Sequence, residues 1–196
     1  MSKKIIWTVI LIFIIGGTFS LFYFFDWIRS NRDSALDFND CIQSGFPTTE
    51  KSPRECKDGY GKIFIEDLGN VLEKNDLIKL SLPLPNSENA SPLVISGQAR
   101  GYWFFEGSFP IQLKTLDDKV ITRTIAKSQG EWMTEDFVNF DATLHYSVST
   151  TTKAILELDK DNPSGLDKFD DLLSVPILLL PNRSTSTPTS TSKIIN

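Results

Sequence analysis

Few residues in this chain have types suited to catalysis or metal binding. One histidine, His145, and two cysteines, Cys41 and Cys56, stand in 196 residues. That supply rules out a self-contained zinc site of the usual four-ligand Cys/His kind and gives a histidine-based triad little to stand on. His145 lies between Leu144 and Tyr146 in the alternating stretch FDATLHYSV, which puts it on the solvent face of a strand. A catalytic base needs a nucleophile and an orienting group within reach. Asp141 shares the face but lies four residues away, too far for direct contact along one strand. No G-x-S-x-G nucleophile motif occurs either. The sequence therefore assigns no catalytic residue, and we expect no enzyme and no cofactor.

The acidic stretch Asp159, Asp161, Asp167 and Asp170 invites a calcium reading. An EF-hand loop needs oxygen ligands at its first, third and fifth positions, Gly at the sixth and Glu at the twelfth. Counted from Asp159, the fifth position is Pro163, Gly165 comes one place late and the twelfth is Asp170. The template fails and no metal ligand is assigned. A solvated acidic loop is the default, with a calcium site of another kind between loops as the alternative.

Aromatic residues offer a different chemistry. Tyr102 and Phe104 fall on the face opposite a core stripe, and Trp132 and Met133 lie in a loop-like stretch beside Gly130. Exposed together, these four would form a patch of the kind that binds proteins or glycans. The competing reading is that the segment 66–85 covers this face, because Leu77, Ile78 and Leu80 need burial too.

The elements that must position these residues begin with a membrane segment. From Ile5 to Phe25 the chain carries 21 residues without a charge, enough to span a hydrocarbon core as a helix. The run is longer than the apolar region of a signal peptide, no A-x-A site follows it, and no Cys stands at its end to take a lipid. We read an uncleaved signal anchor, with a cleaved signal peptide as the alternative. Lys3 and Lys4 favour a cytoplasmic amino end, against Arg29 and Arg32 on the other side. The close cysteine pair and the Ser/Thr-rich tail suit an oxidising exterior and decide the orientation.

Residues 26–65 form a polar connector with a two-cysteine element. Gly45, Pro47 and Pro53 between the cysteines, then Asp58-Gly59 and Gly61, preclude a helix in that stretch. An isolated even pair outside the membrane is expected to bond, and a Cys41–Cys56 bridge would contribute about 3 kcal/mol by the chain-entropy estimate. Two free thiols are the alternative. Residues 66–90 read as linker and lead-in, holding one short helical turn and the extended Leu82-Pro83-Leu84-Pro85-Asn86.

Residues 91–181 alternate apolar and polar in strand after strand. In GYWFFEGSFPIQLK, Trp103, Phe105, Phe109, Ile111 and Leu113 take one face and the even positions the other. Pro110 marks an edge position or a bulge there. Leu93, Ile95 and Ala99 point inward, as do Phe140, Ala142 and Leu144, and Ala154, Leu156 and Leu158. VITRTIA and LLSVPILLL are β-rich without a clear phase, and Asp117-Asp118-Lys119 reads as a hairpin turn. Short strands about ten residues apart, with no helix among them, predict an all-β, antiparallel sandwich. The remaining residues 182–196 include STSTPTSTS and read as a disordered tail.

Ser91-Pro92, Ser96-Gly97-Gln98-Ala99-Arg100-Gly101, Trp103-Phe104-Phe105-Glu106, Phe109-Pro110 and Trp132-Met133-Thr134-Glu135-Asp136-Phe137 carry a family resemblance. Asp161-Asn162-Pro163-Ser164-Gly165 and Val175-Pro176-Ile177 continue it. The chain resembles the immunoglobulin-like domain of bacterial spore germination proteins over residues 91–181, with a lead-in from Asp76. The resemblance implies an Ig-like sandwich attached to a secreted or membrane-bound bacterial protein, and carries over no catalytic residue. The partner domain that accompanies it in germination proteins is not recognisable here. Residues 38–64 resemble a short two-cysteine element of similar secreted proteins.

The net charge of −5 excludes a nucleic-acid binder, since affinity for phosphate rests on Lys and Arg. The expected function is an outward-facing, membrane-anchored Ig-like module that binds a cell-envelope protein or glycan or acts as a spacer. The alternatives are an accessory subunit or domain of an envelope hydrolase and a calcium-stabilised adhesion domain.

Overall fold

The computed structural model describes residues 34–182 and Tyr23. The expected anchor, Tyr23 apart, and the Ser/Thr-rich tail lie outside the described residues, among which no helix is long and apolar enough to cross a membrane. The chain divides into two compact units, Met1–Asp67 and Leu68–Asn196.

The first unit holds a helix α1 (Phe38–Gln43) and a two-stranded antiparallel ribbon, β1 (Glu55–Lys57) and β2 (Ile63–Ile65). The helix corrects the expectation of a plain connector leading into a turn-rich loop. Asp37 caps it by accepting from the Asp40 N–H at 2.8 Å, and the Asp40 carboxylate accepts from the Leu36 N–H at 2.8 Å. This reciprocal capping satisfies orphan amides and starts the helix. Phe38 and Cys41, three residues apart, share its buried face. Beyond Gln43 the turn formers act as expected.

Cys41 and Cys56 form a disulfide with a Cα–Cα distance of 6.1 Å, as anticipated. They are buried with Ala35 and Phe38, and Ile42, Phe46 and Phe64 pack against them. Asp58 is buried at the β1–β2 turn, where its carboxylate accepts from the amides of Tyr60 (3.0 Å), Lys62 (2.8 Å) and Ala35 (3.4 Å). Burial alone would raise its pKa, but those amides and the Lys62 charge outweigh it and hold the carboxyl below the ordinary range.

The second unit is all-β. Its strands are β3 (Ile78–Leu82), β4 (Glu88–Asn89), β5 (Leu93–Arg100), β6 (Ser108–Thr115), β7 (Val120–Ser128), β8 (Phe137–Leu144), β9 (Thr152–Asp159) and β10 (Leu172–Leu179). They pair in the order β3-β5-β8-β7-β6-β9-β10-β4. All neighbours are antiparallel except the two-residue β10–β4 contact. β7 and β8 share only Lys127↔Asp141 and Ser128↔Phe140, so the array folds over at this thin seam. The inward faces on both sides of the seam then share one core, which is the sandwich expected from the sequence.

The predicted inward residues of β5, β8 and β9 are buried, and Phe109, Ile111 and Leu113 of β6 join them. In β10 the inward phase is Leu173, Val175, Ile177 and Leu179. Pro110 lies just before the β6–β9 ladder, which begins at Ile111↔Leu158, so its missing N–H breaks no pair there. The Asp117–Lys119 turn forms, with Asp118 at φ 61°.

Two expectations change. Residues 68–90, expected as part of a linker and lead-in with one short helical turn, belong to the second unit and contribute a strand to its sheet. A helical turn α2 (Val71–Lys74) leads into β3, which extends the sheet beside β5, while Ile78 enters the core and Leu77 and Leu80 pack against it. Period 2 also fails between Gly101 and Ser108. Gly101–Trp103 is a 3-10 turn, and Phe105 and Ser108 close a two-residue hairpin through Glu106 (φ 50°) and Gly107 (φ 72°). Trp103 is buried as predicted, but Phe105 turns out to solvent and Phe104 turns in, its ring 5.2 Å from that of Phe109.

The outer edge of β10 is closed residue by residue. Asn70 mimics a strand: its amide donates to Ser174 O (3.2 Å), its Nδ2 to Leu172 O (3.0 Å), and its Oδ1 accepts from Ser174 N–H (2.7 Å). The Asn86 N–H donates to Pro176 O at 2.7 Å, and Pro176 itself has no N–H to satisfy. Leu178 and Leu180 donate to Ser87 O and Asn89 O.

Candidate interaction surface at one end of the sandwich

The 3-10 turn after β5 and the loop joining β7 to β8 are built against each other. A Cβ on Gly101 would lie 1.9 Å from Thr134 O and 2.3 Å from Trp132 O, so only glycine admits this approach. Gly101 also donates its N–H to Asp136 O at 3.1 Å. At Gly107 a Cβ would meet the indole of Trp132 at 3.2 Å, which places that ring over the hairpin backbone.

The loop is braced along its length. The Glu131 carboxylate accepts from Met133 N–H (3.0 Å), Thr134 N–H donates to Trp132 O (2.8 Å), and Thr134 Oγ accepts from Asp136 N–H (3.2 Å). Arg100 donates to Glu135 O at 3.2 Å and to Asp76 O at 3.0 Å, and its guanidinium lies 4.1 Å from the Phe137 ring centroid. Such contacts hold the loop without covering its outer side.

Tyr102, Trp132 and Met133 therefore meet, with Thr134 and Glu135, in a shallow depression. Met133 is 73% exposed, Tyr102 is 49% exposed and Trp132 is half-buried. Lys160 reaches to 6.0 Å from the Tyr102 ring, the outer limit of a cation–π contact. Phe104, expected in this patch, belongs to the core instead, because the 3-10 turn and the tight hairpin reverse its direction. Phe105, next to it in sequence and expected in the core, is 41% exposed. The Glu106-Gly107 pair is the sequence signal that could have located the turn and so exposed Phe105.

Part of the acidic stretch is engaged internally. Asp159 accepts from Gln112 Nε2 (2.8 Å), Asp170 from Asn162 Nδ2 (2.6 Å), and Asp171 pairs with Lys74. The Asp161 carboxyl is pushed up by burial and by the charge of Glu106, while the Asp161 amide donates to Trp103 O at 3.0 Å. Among the described residues no group of three or more His, Cys, Asp or Glu side chains converges. His145 is exposed just past β8, and Asp141 accepts from the Gln129 amide.

Residues 77–166 match the family described as the immunoglobulin-like domain of bacterial spore germination. The match runs from the residue before β3 to the loop before β10, so the resemblance read from the sequence holds for this stretch. No curated protein and no solved structure matches the chain.

Proposed function

We propose that the chain is a non-catalytic, membrane-anchored module that displays its immunoglobulin-like domain outside the cytoplasm. There it binds a cell-envelope protein or glycan through the surface formed by Tyr102, Trp132 and Met133. One observation carries this reading: apolar side chains stay exposed on a loop whose backbone is fixed by Gly101, Thr134 and Arg100. A surface ordered in advance loses little entropy on binding, and exposed aromatic and methionine side chains are the usual anchors of such contacts. The uncharged run from Ile5 to Phe25 supports the anchor, and the disulfide supports an oxidising compartment.

A photoreactive amino acid placed at Met133 in the full-length protein tests the reading in living cells. We expect a discrete adduct at Met133 and none at Thr143, which is exposed on β8. Adducts of equal yield at both positions, or none at Met133, refute the binding surface. A reporter fused after Asn196 should be active only outside the cytoplasm; activity inside refutes the orientation.

A further inference from the structure

The ribbon of the first unit has an inner and an outer face. Cys56 and Phe64 pair across the strands on the inner face, and Glu55↔Ile65 and Lys57↔Ile63 flank them on the outer one. Ile63 and Ile65 are 56% and 61% exposed. A two-stranded ribbon is marginal in water, and this one has only a small cluster beneath it. An isoleucine pair left in water on such an element is apolar surface it can ill spare.

The chain preceding the unit indicates what covers that pair. The uncharged run ends at Phe25, and the continuous described stretch begins at Ser34, nine positions later. Fully extended, that length reaches about 30 Å. If the run spans a bilayer, the ribbon never leaves the neighbourhood of the same bilayer. Charge narrows the choice further. Residues 34–67 carry seven Asp and Glu against four Lys and Arg, which disfavours an anionic surface. The outer face itself balances Glu55 with Lys57, and the Lys57 stem can lie along apolar surface while its ammonium reaches headgroups.

We propose that Ile63 and Ile65 insert into the interfacial zone of the bilayer that holds the anchor, so that the disulfide-closed unit sits on the membrane and does not swing free of it. This rests on the anchored reading above.

The test uses the full-length protein in phosphatidylcholine vesicles. Ile63→Cys and Ile65→Cys each carry an environment-sensitive fluorophore, since both native cysteines are occupied by their disulfide. Thr143→Cys is the control. Nitroxide-labelled lipids should quench both probes, most strongly from a depth on the order of 5–10 Å below the headgroups, and leave the control unquenched. Probes at 63 and 65 quenched no more than the control, in protein that resists alkaline carbonate extraction, overturn the bilayer contact and leave the anchor standing. Extraction by carbonate overturns both. Shielding that rises with protein density and owes nothing to lipid quenchers assigns the face to a second copy and overturns the bilayer contact.

Discussion

Replacing Phe104 and Phe105 in turn by alanine separates two readings of one short segment. Strict alternation from Tyr102 onward makes Phe105 the core residue, whereas the 3-10 turn and the Glu106-Gly107 hairpin make it Phe104. Phe104 is 4% exposed and packs on Phe109, which in turn meets Phe140 at 5.0 Å. Its truncation removes transfer energy and leaves a cavity between rings, for about 3–5 kcal/mol. Phe105 keeps roughly three-fifths of its surface covered, on a hairpin tip that can relax. Area arithmetic at about 25 cal/mol per Å2, taken as an upper estimate, gives about 1–2 kcal/mol. In urea, with a slope of about 2 kcal/mol per M, the midpoint should fall by about 2 M for Phe104→Ala and by less than about 1 M for Phe105→Ala. Far-UV circular dichroism of the full chain in mild detergent reads both without relying on tryptophan. Equal shifts, or a larger one for Phe105→Ala, would refute the turn and restore the uninterrupted strand.

Further outcomes follow from the same contacts. Gly101→Ala forces a methyl against two carbonyl oxygens and should destabilise by about 1–3 kcal/mol or more, shifting Trp132 emission and abolishing the Met133 adduct; unchanged emission would contradict the close approach. Asp58 has a folded pKa below its unfolded one, so its stabilisation is present above the ordinary carboxylate range and is lost as pH falls through the folded value. The amides of Ala35, Tyr60 and Lys62 should therefore keep their hydrogen-exchange protection through the ordinary carboxylate range and lose it only at lower pH, and Asp58→Asn should remove that dependence. Asn70→Ala strips two side-chain bonds from the edge of β10 and leaves the Ser174 N–H without its partner, for about 1–3 kcal/mol by chemical denaturation.

How much of this could be read from residues alone depends on the range of the interactions. β5, β8 and β9 carry unbroken alternation, so their inward residues were legible. LLSVPILLL was not, because apolar residues stand in both phases; pairing of Leu173 with Leu158 and of Val175 with Leu156 selects one. The alternation of 102–114 ran past a turn whose signals, Gly101 and Glu106-Gly107, were outweighed by five aromatics close together. Asp37 and Asp40 spelled a helix start that the nearby prolines and glycines obscured. The meeting of Tyr102 with Trp132 and Met133 depends on one glycine accepting the backbone of a loop some 30 residues away, which no local pattern encodes. The Asn70–Ser174 pairing spans 104 residues and is equally silent.

The closed edge of β10 limits how molecules of this kind can assemble. Lengthening a sheet from one molecule to the next requires each copy to offer one open edge and to receive at another. Here Asn70, Asn86 and Pro176 block one end of the array, and β4 is too short to act as a template. At the other end of this eight-stranded array β3 has no strand on its outer side. Two copies joined edge to edge through β3 would each turn a closed β10 end outward, so a sheet lengthened through β3 is not continued from the far end of this array.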